Sequence, residues 1–92
     1  MSLCSEAEIL QALRSLPQWA RQGQTIQRTY EFEDFPAAMR FVNRIAAAAE
    51  AASHHPDIDI RWNRVRLELT THDSGGLTAL DFKLAHAADR LC

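Results

Sequence analysis

The chain reads as an α+β domain with its elements in the order α-β-β-α-β-β-α, and three observations lead there. Two stretches, Thr25 to Phe32 and Ile58 to Thr71, alternate apolar and polar residues with the period of a half-buried strand. Three other stretches place apolar residues three and four apart, the spacing of one helix face. Each of those helical stretches opens on a side chain suited to an N-cap.

The first helix is expected from Ser5 to Leu16, with Ile9, Leu10, Leu13 and Leu16 on its apolar face. Ser5-Glu6-Ala7-Glu8 has the form of a capping box, in which the serine and the glutamate satisfy each other's free backbone amides. Pro17 ends this helix, and Trp19 to Gln22 is a short strand before a turn at Gly23. In the strand that follows, Ile26, Tyr30 and Phe32 share a face that Arg28 interrupts. Asp34 then caps a long helix, Pro36 suits its first turn, and helix-favouring residues continue to about Ser53. Phe41, Val42, Ile45, Ala48, Ala49 and Ala52 form its apolar stripe, an alanine-rich surface fit for packing inside the monomer or against another subunit. Pro56 holds His55 extended, so the helix stops at or just before His54. The next two strands form an antiparallel hairpin turning at Asn63-Arg64. Ser74-Gly75-Gly76 breaks the chain, and Thr78 with Asp81 opens a last helix whose core contacts are Leu77, Leu80, Leu84, Ala88 and Leu91.

At 92 residues the chain has the length of a single domain, 1-92. Its composition, 47% hydrophobic and 24% charged, is that of an ordinary globular protein. A net charge of -2 with scattered arginines offers no electrostatic footprint for nucleic acid. Cys4 and Cys92 have neither a metal-ligand spacing nor that of a disulfide framework, which suits a reducing compartment. The first residues lack the pattern of a secretory signal, and no apolar run approaches the roughly 18 residues of a membrane span. A cytoplasmic protein is the expectation.

Groups able to move protons concentrate between Glu50 and Asp81, where His54, His55 and His72 lie. Residues i and i+4 share a helix face, so Glu50 is expected beside His54 at the helix end, where carboxylate and helix dipole both favour an imidazolium. His55 must point elsewhere, and His72 is expected to emerge at the end of the fourth strand. Blander roles fit the same residues: His54 as an ordinary helix terminus, Asp81 as a capping residue only, His72 as a solvent-facing strand residue. His86 reads as a surface histidine without partners, and Trp19 and Trp62 as core or cleft wall. Three histidines and a carboxylate are also suitable ligands for zinc or non-haem iron, but neither H-x-x-x-H nor H-E-x-x-H occurs, so no metal site is expected.

Glu50, His54-His55-Pro56, Trp62, His72 and Asp81 together resemble the signature of the pterin-4a-carbinolamine dehydratases. The likeness extends through Asp34-Phe35, Asn63-Arg64-Val65, Thr70-Thr71-His72-Asp73, Gly75-Gly76-Leu77-Thr78 and Asp81-Phe82. It implies a four-stranded antiparallel sheet with the three helices packed on one face. It also implies dehydration of a 4a-hydroxytetrahydropterin to the quinonoid dihydropterin, without metal or organic cofactor, in the recycling that follows an aromatic amino acid hydroxylase. By the same resemblance His54 and His72 are the principal acid–base pair, His55 completes the catalytic pocket, and Glu50 and Asp81 orient it. Ser53, Thr70, Thr71 and Asp73, with the histidines, are the implied pterin contacts, and the assembly is a homodimer or homotetramer. Ser53 departs from the Asp or Asn of many members, and Leu80 from a frequent basic residue. From another class comes a non-catalytic dimerisation or partner-binding module built on the alanine-rich helix, and a third alternative is a metal-dependent enzyme.

Overall fold

The computed structural model describes residues 2–92. Its elements are α1 (Glu6–Leu13), β1 (Ala20–Gln22), β2 (Thr25–Glu31), α2 (Phe35–Ala52), β3 (Asp57–Arg61), β4 (Arg64–Leu69) and α3 (Ala79–Leu91), with a single 3-10 turn at His72–Ser74. The strands pair antiparallel in the order β1-β2-β4-β3. The α+β fold and the element order follow the alternation and capping signals in the sequence.

Strand alternation divides the sheet into a core face and a wet face. Ile26 and Tyr30 of β2 and Val65, Leu67 and Leu69 of β4 are buried, while Arg64, Arg66 and Glu68 project from the other side of β4. The buried side chains meet Ala38, Phe41, Ile45 and Ala49 of α2 and Phe82, Leu84, Ala85 and Ala88 of α3. Phe41 packs on Tyr30 with ring centroids 4.6 Å apart. Ala38 and Ala49 of α2 thus serve the monomer's own core, while Ala46, Ala47, Ala51 and Ala52 are exposed.

Several side chains sit elsewhere than the periodicity implies. The first helix ends at Leu13, so Leu16 enters the core from the following turn and Leu10 is left 65% exposed. The hairpin turns at Trp62-Asn63, because Arg61 and Arg64 already pair across the strands. Trp62 there has φ 50° and is 67% exposed, neither core nor cleft wall, whereas Trp19 is buried. Asn63, the second turn residue, ties the hairpin to the end of β2, its side-chain amide donating to the Phe32 carbonyl at 2.8 Å. His86 is not alone, with its Nε2 3.2 Å from the Ser15 hydroxyl.

Arg28 is more than an interruption of a strand face. Its guanidinium and the indole of Trp19 donate to Oδ1 of Asp89 at 2.7 and 3.0 Å, and the Tyr30 hydroxyl donates to the same oxygen. The Arg28 guanidinium also lies 4.1 Å from the centre of the Tyr30 ring. Burial, then the hydrogen bond to Asp89, pushes the Tyr30 phenol far above its ordinary range. This cluster fastens the last turn of α3 to β2.

Candidate active site

The manner in which α2 ends decides where two histidines go. Ser53 takes a left-handed conformation (φ 51°, ψ 39°). Its amide bonds the Glu50 carbonyl at 3.2 Å, and the His54 amide bonds the Ala49 carbonyl at 3.1 Å. These two bonds make a Schellman termination, which satisfies the last carbonyls while turning the chain off the helix axis. Pro56 then prevents any return to helix.

Off the helix, His54 no longer obeys helical spacing. Its Nε2 lies 2.6 Å from Oδ1 of Asp81, and both side chains are buried. Glu50 pairs instead with the neighbour, His55 Nε2 standing 2.6 Å from Glu50 Oε2 on an exposed surface. The expected Glu50–His54 pairing is therefore replaced by two separate pairs, one buried and one wet. The exposed pair contributes little to stability, about 0–1 kcal/mol.

Asp81 is the third residue of α3 and completes a capping box with Thr78. Its Oδ2 accepts the Thr78 amide at 2.9 Å and the Thr71 hydroxyl at 2.8 Å. A fully buried carboxylate is costly unless its lone pairs are filled, and here donors and the positive end of α3 compensate it. The capping role and the contact with His54 are thus held by one side chain through different oxygens.

β4 ends at Leu69, earlier than the alternation implies, and His72 and Asp73 lie on the 3-10 turn beyond it. Thr71 and Gly76 close that loop by exchanging backbone hydrogen bonds of 3.0 and 3.3 Å, with Gly75 at φ 77°. Thr70 ties the loop to the β1–β2 turn by donating to the Gln24 carbonyl at 2.7 Å. A Cβ on Gly76 would lie 2.7 Å from the Gln24 Oε1 and 3.1 Å from Leu3, so the glycine permits this close approach. The His72 imidazole is exposed and makes no hydrogen bond among the described residues.

Ser53, His54, His55, Thr70, Thr71, His72 and Asp73 line one open hollow of about 210 Å³. Glu50 and Asp81 stand behind it, one beside His55 and the other beneath His54. Thr78 belongs to the same group, its hydroxyl 2.8 Å from that of Thr71, although the sequence marks it only as a cap. A larger hollow of about 520 Å³ lies between α2 and α3, walled by alanines and leucines with Lys83 and Arg90, and has no histidine or carboxylate in its lining. Among the described residues no three His, Cys, Asp or Glu side chains are grouped to hold a metal ion. Nor is any helix among them long and apolar enough to cross a membrane.

The family model described as pterin 4 alpha carbinolamine dehydratase matches residues 2–91. A protein of Chloroflexus aurantiacus, provisionally named a pterin-4-alpha-carbinolamine dehydratase, is 56% identical over 99% of this chain and 98% of its own. One of Acidobacterium capsulatum with the same provisional name is 55% identical over 99% of both chains. A solved structure of a transcriptional coactivator/pterin dehydratase from Brucella melitensis superimposes with a TM-score of 0.94 at 35% identity, covering 98% of each chain. With the family's pattern running from the first helix to the last, the chain belongs to the pterin 4 alpha carbinolamine dehydratase family.

Proposed function

We propose that the protein dehydrates a 4a-hydroxytetrahydropterin to the quinonoid dihydropterin and water by histidine acid–base catalysis. One side chain gives a proton to the C4a hydroxyl as the C–O bond breaks and water departs. Another takes the proton from N5, whose electrons form the C4a–N5 double bond. The exchange balances without an oxidant, metal or organic cofactor. His54 and His72 form the acid–base pair, His55 completes the pocket, and Glu50 and Asp81 hold the rings. Ser53, Thr70 and Asp73 offer polar groups to the pterin, and Thr71 contributes to the wall of the hollow, its hydroxyl engaged by Asp81 and its backbone by Gly76.

The observation that carries this reading is the buried His54–Asp81 pair at 2.6 Å, with His54 lining a hollow shared with His55 and His72. A well-placed general acid or base contributes roughly 10²- to 10⁴-fold. Stopped-flow absorbance of freshly generated carbinolamine, compared with its uncatalysed decay, is the test. His54→Ala and His72→Ala should each slow dehydration by about 10²-fold or more. Wild-type rates in both variants would contradict the proposed site.

The same reading places the reaction in tetrahydropterin recycling after an aromatic amino acid hydroxylase, in a homodimer or homotetramer. The open edge of β3, where Ile58 and Ile60 are 37% and 38% exposed, supports an assembled state. A second reading, a partner-binding module, draws on the apolar groove between α2 and α3 and on the coactivator named for the Brucella relative. It gains if the wild-type protein fails to accelerate dehydration.

A further inference from the structure

The contacts around Asp81 have proton directions that follow from the donors alone. The Leu80 amide has only a hydrogen to give, so Thr78 Oγ1 accepts it at 3.3 Å. Each threonine hydroxyl has one hydrogen. Thr71 Oγ1 stands 2.8 Å from Asp81 Oδ2 and 2.8 Å from Thr78 Oγ1. A carboxylate can only accept, so the Thr71 hydrogen goes to Asp81 and the Thr78 hydrogen must go to Thr71. Donation therefore runs one way, from Leu80 through Thr78 and Thr71 to Asp81. The Thr78 amide adds a second hydrogen to Oδ2, leaving Oδ1 for His54. In neutral His54 the nitrogen facing that oxygen, Nε2, carries the hydrogen, and Nδ1 keeps its lone pair. No buried side-chain nitrogen or oxygen among the described residues lacks a partner. Nδ1 makes no hydrogen bond there, so it retains some solvent access, and His54 is one of the residues that line the hollow.

We infer that Thr71 and Thr78 are positioning residues, whose one-way hydroxyl chain fixes the Asp81 carboxylate so that His54 is held as the Nε2–H tautomer with Nδ1 free. Neither threonine hydroxyl reaches substrate; both act through Asp81. The consequence for catalysis rests on reading the hollow as a dehydratase site, but the tautomer belongs to the resting protein and is measurable without substrate. Loss of the Thr71 hydroxyl leaves Oδ2 with one donor and the Thr78 hydroxyl without its acceptor, so the carboxylate can rotate.

Imidazole nitrogen NMR of histidine-labelled protein reads the tautomer directly, with His54→Ala assigning the signal. Wild type should show neutral His54 as predominantly Nε2–H. Thr71→Val should give a mixture of tautomers and lower kcat about tenfold at unchanged KM, the rate equivalent of one lost hydrogen bond. Thr71→Ser, which restores the hydroxyl, should recover both. An unchanged His54 signal in Thr71→Val, or a Thr71→Ser variant as impaired as Thr71→Val, would overturn the inference. If Thr71→Val does not fold, Thr78→Gly removes the other hydroxyl while keeping a residue favoured at an N-cap; a mixed tautomer supports the inference and an unaltered one overturns it. Should the wild type prove inactive on the carbinolamine, the dehydratase reading falls and the tautomer pattern alone decides.

Discussion

Helix α3 carries two aspartates, Asp81 near its start and Asp89 in its last turn, and the same side chain does opposite work at the two ends. Asp81 sits where the helix dipole favours a negative charge, accepts from three donors through two oxygens, and holds one side of a histidine whose other side is open. Asp89 sits where the dipole disfavours a carboxylate, and Arg28, Tyr30 and Trp19 converge on one of its oxygens. None of those three partners lines the hollow. A carboxylate, whether fully buried like Asp81 or half-buried like Asp89, becomes part of a candidate site when one of its partners can still exchange a proton with a ligand. When every partner is a fixed donor, it is a fastening.

The sharpest way to break this contrast is to replace each carboxylate by its amide. Asp81→Asn should lower kcat by roughly 10²-fold or more, because its amide nitrogen can donate to His54 Nε2 and favour the wrong tautomer. Asp89→Asn should leave the kcat of the folded protein near wild type and cost stability instead, about 1–3 kcal/mol by urea unfolding. Catalytic loss at Asp89 with intact stability would erase the distinction.

A smaller effect concerns Tyr30, the chain's one tyrosine. The folded phenol keeps its proton above the pH at which an unfolded tyrosine loses it, about pH 10. Its contribution to stability is therefore complete below that pH and declines as pH rises further. Phenolate absorbance should appear together with alkaline unfolding rather than before it, and Tyr30→Phe should remove this component of the pH dependence.

The sequence revealed the elements because their signals are local. Period-two alternation marked β2 and the hairpin, Ser5 and Thr78 opened capping boxes, and Asp34 capped α2. It also placed the proton-moving residues in one window. The pairing among them was not legible, because the i,i+4 rule holds only while the backbone is helical. Ser53, a left-handed residue without the glycine that usually announces one, ends that condition a residue before His54. Trp62 escaped for a similar reason, since an aromatic residue at positive φ has no compositional signal. The Asp89 cluster joins residues 59 to 70 positions apart, and nothing near Arg28 or Trp19 hints at the partner.

The most direct test of the His54–Asp81 pair as one catalytic unit is a double-mutant cycle on carbinolamine dehydration with His54→Ala and Asp81→Asn. If Asp81 acts only through His54, the double variant is no slower than His54→Ala alone. A double variant slowed by the product of the two single losses would contradict that coupling and assign Asp81 a separate part in the reaction.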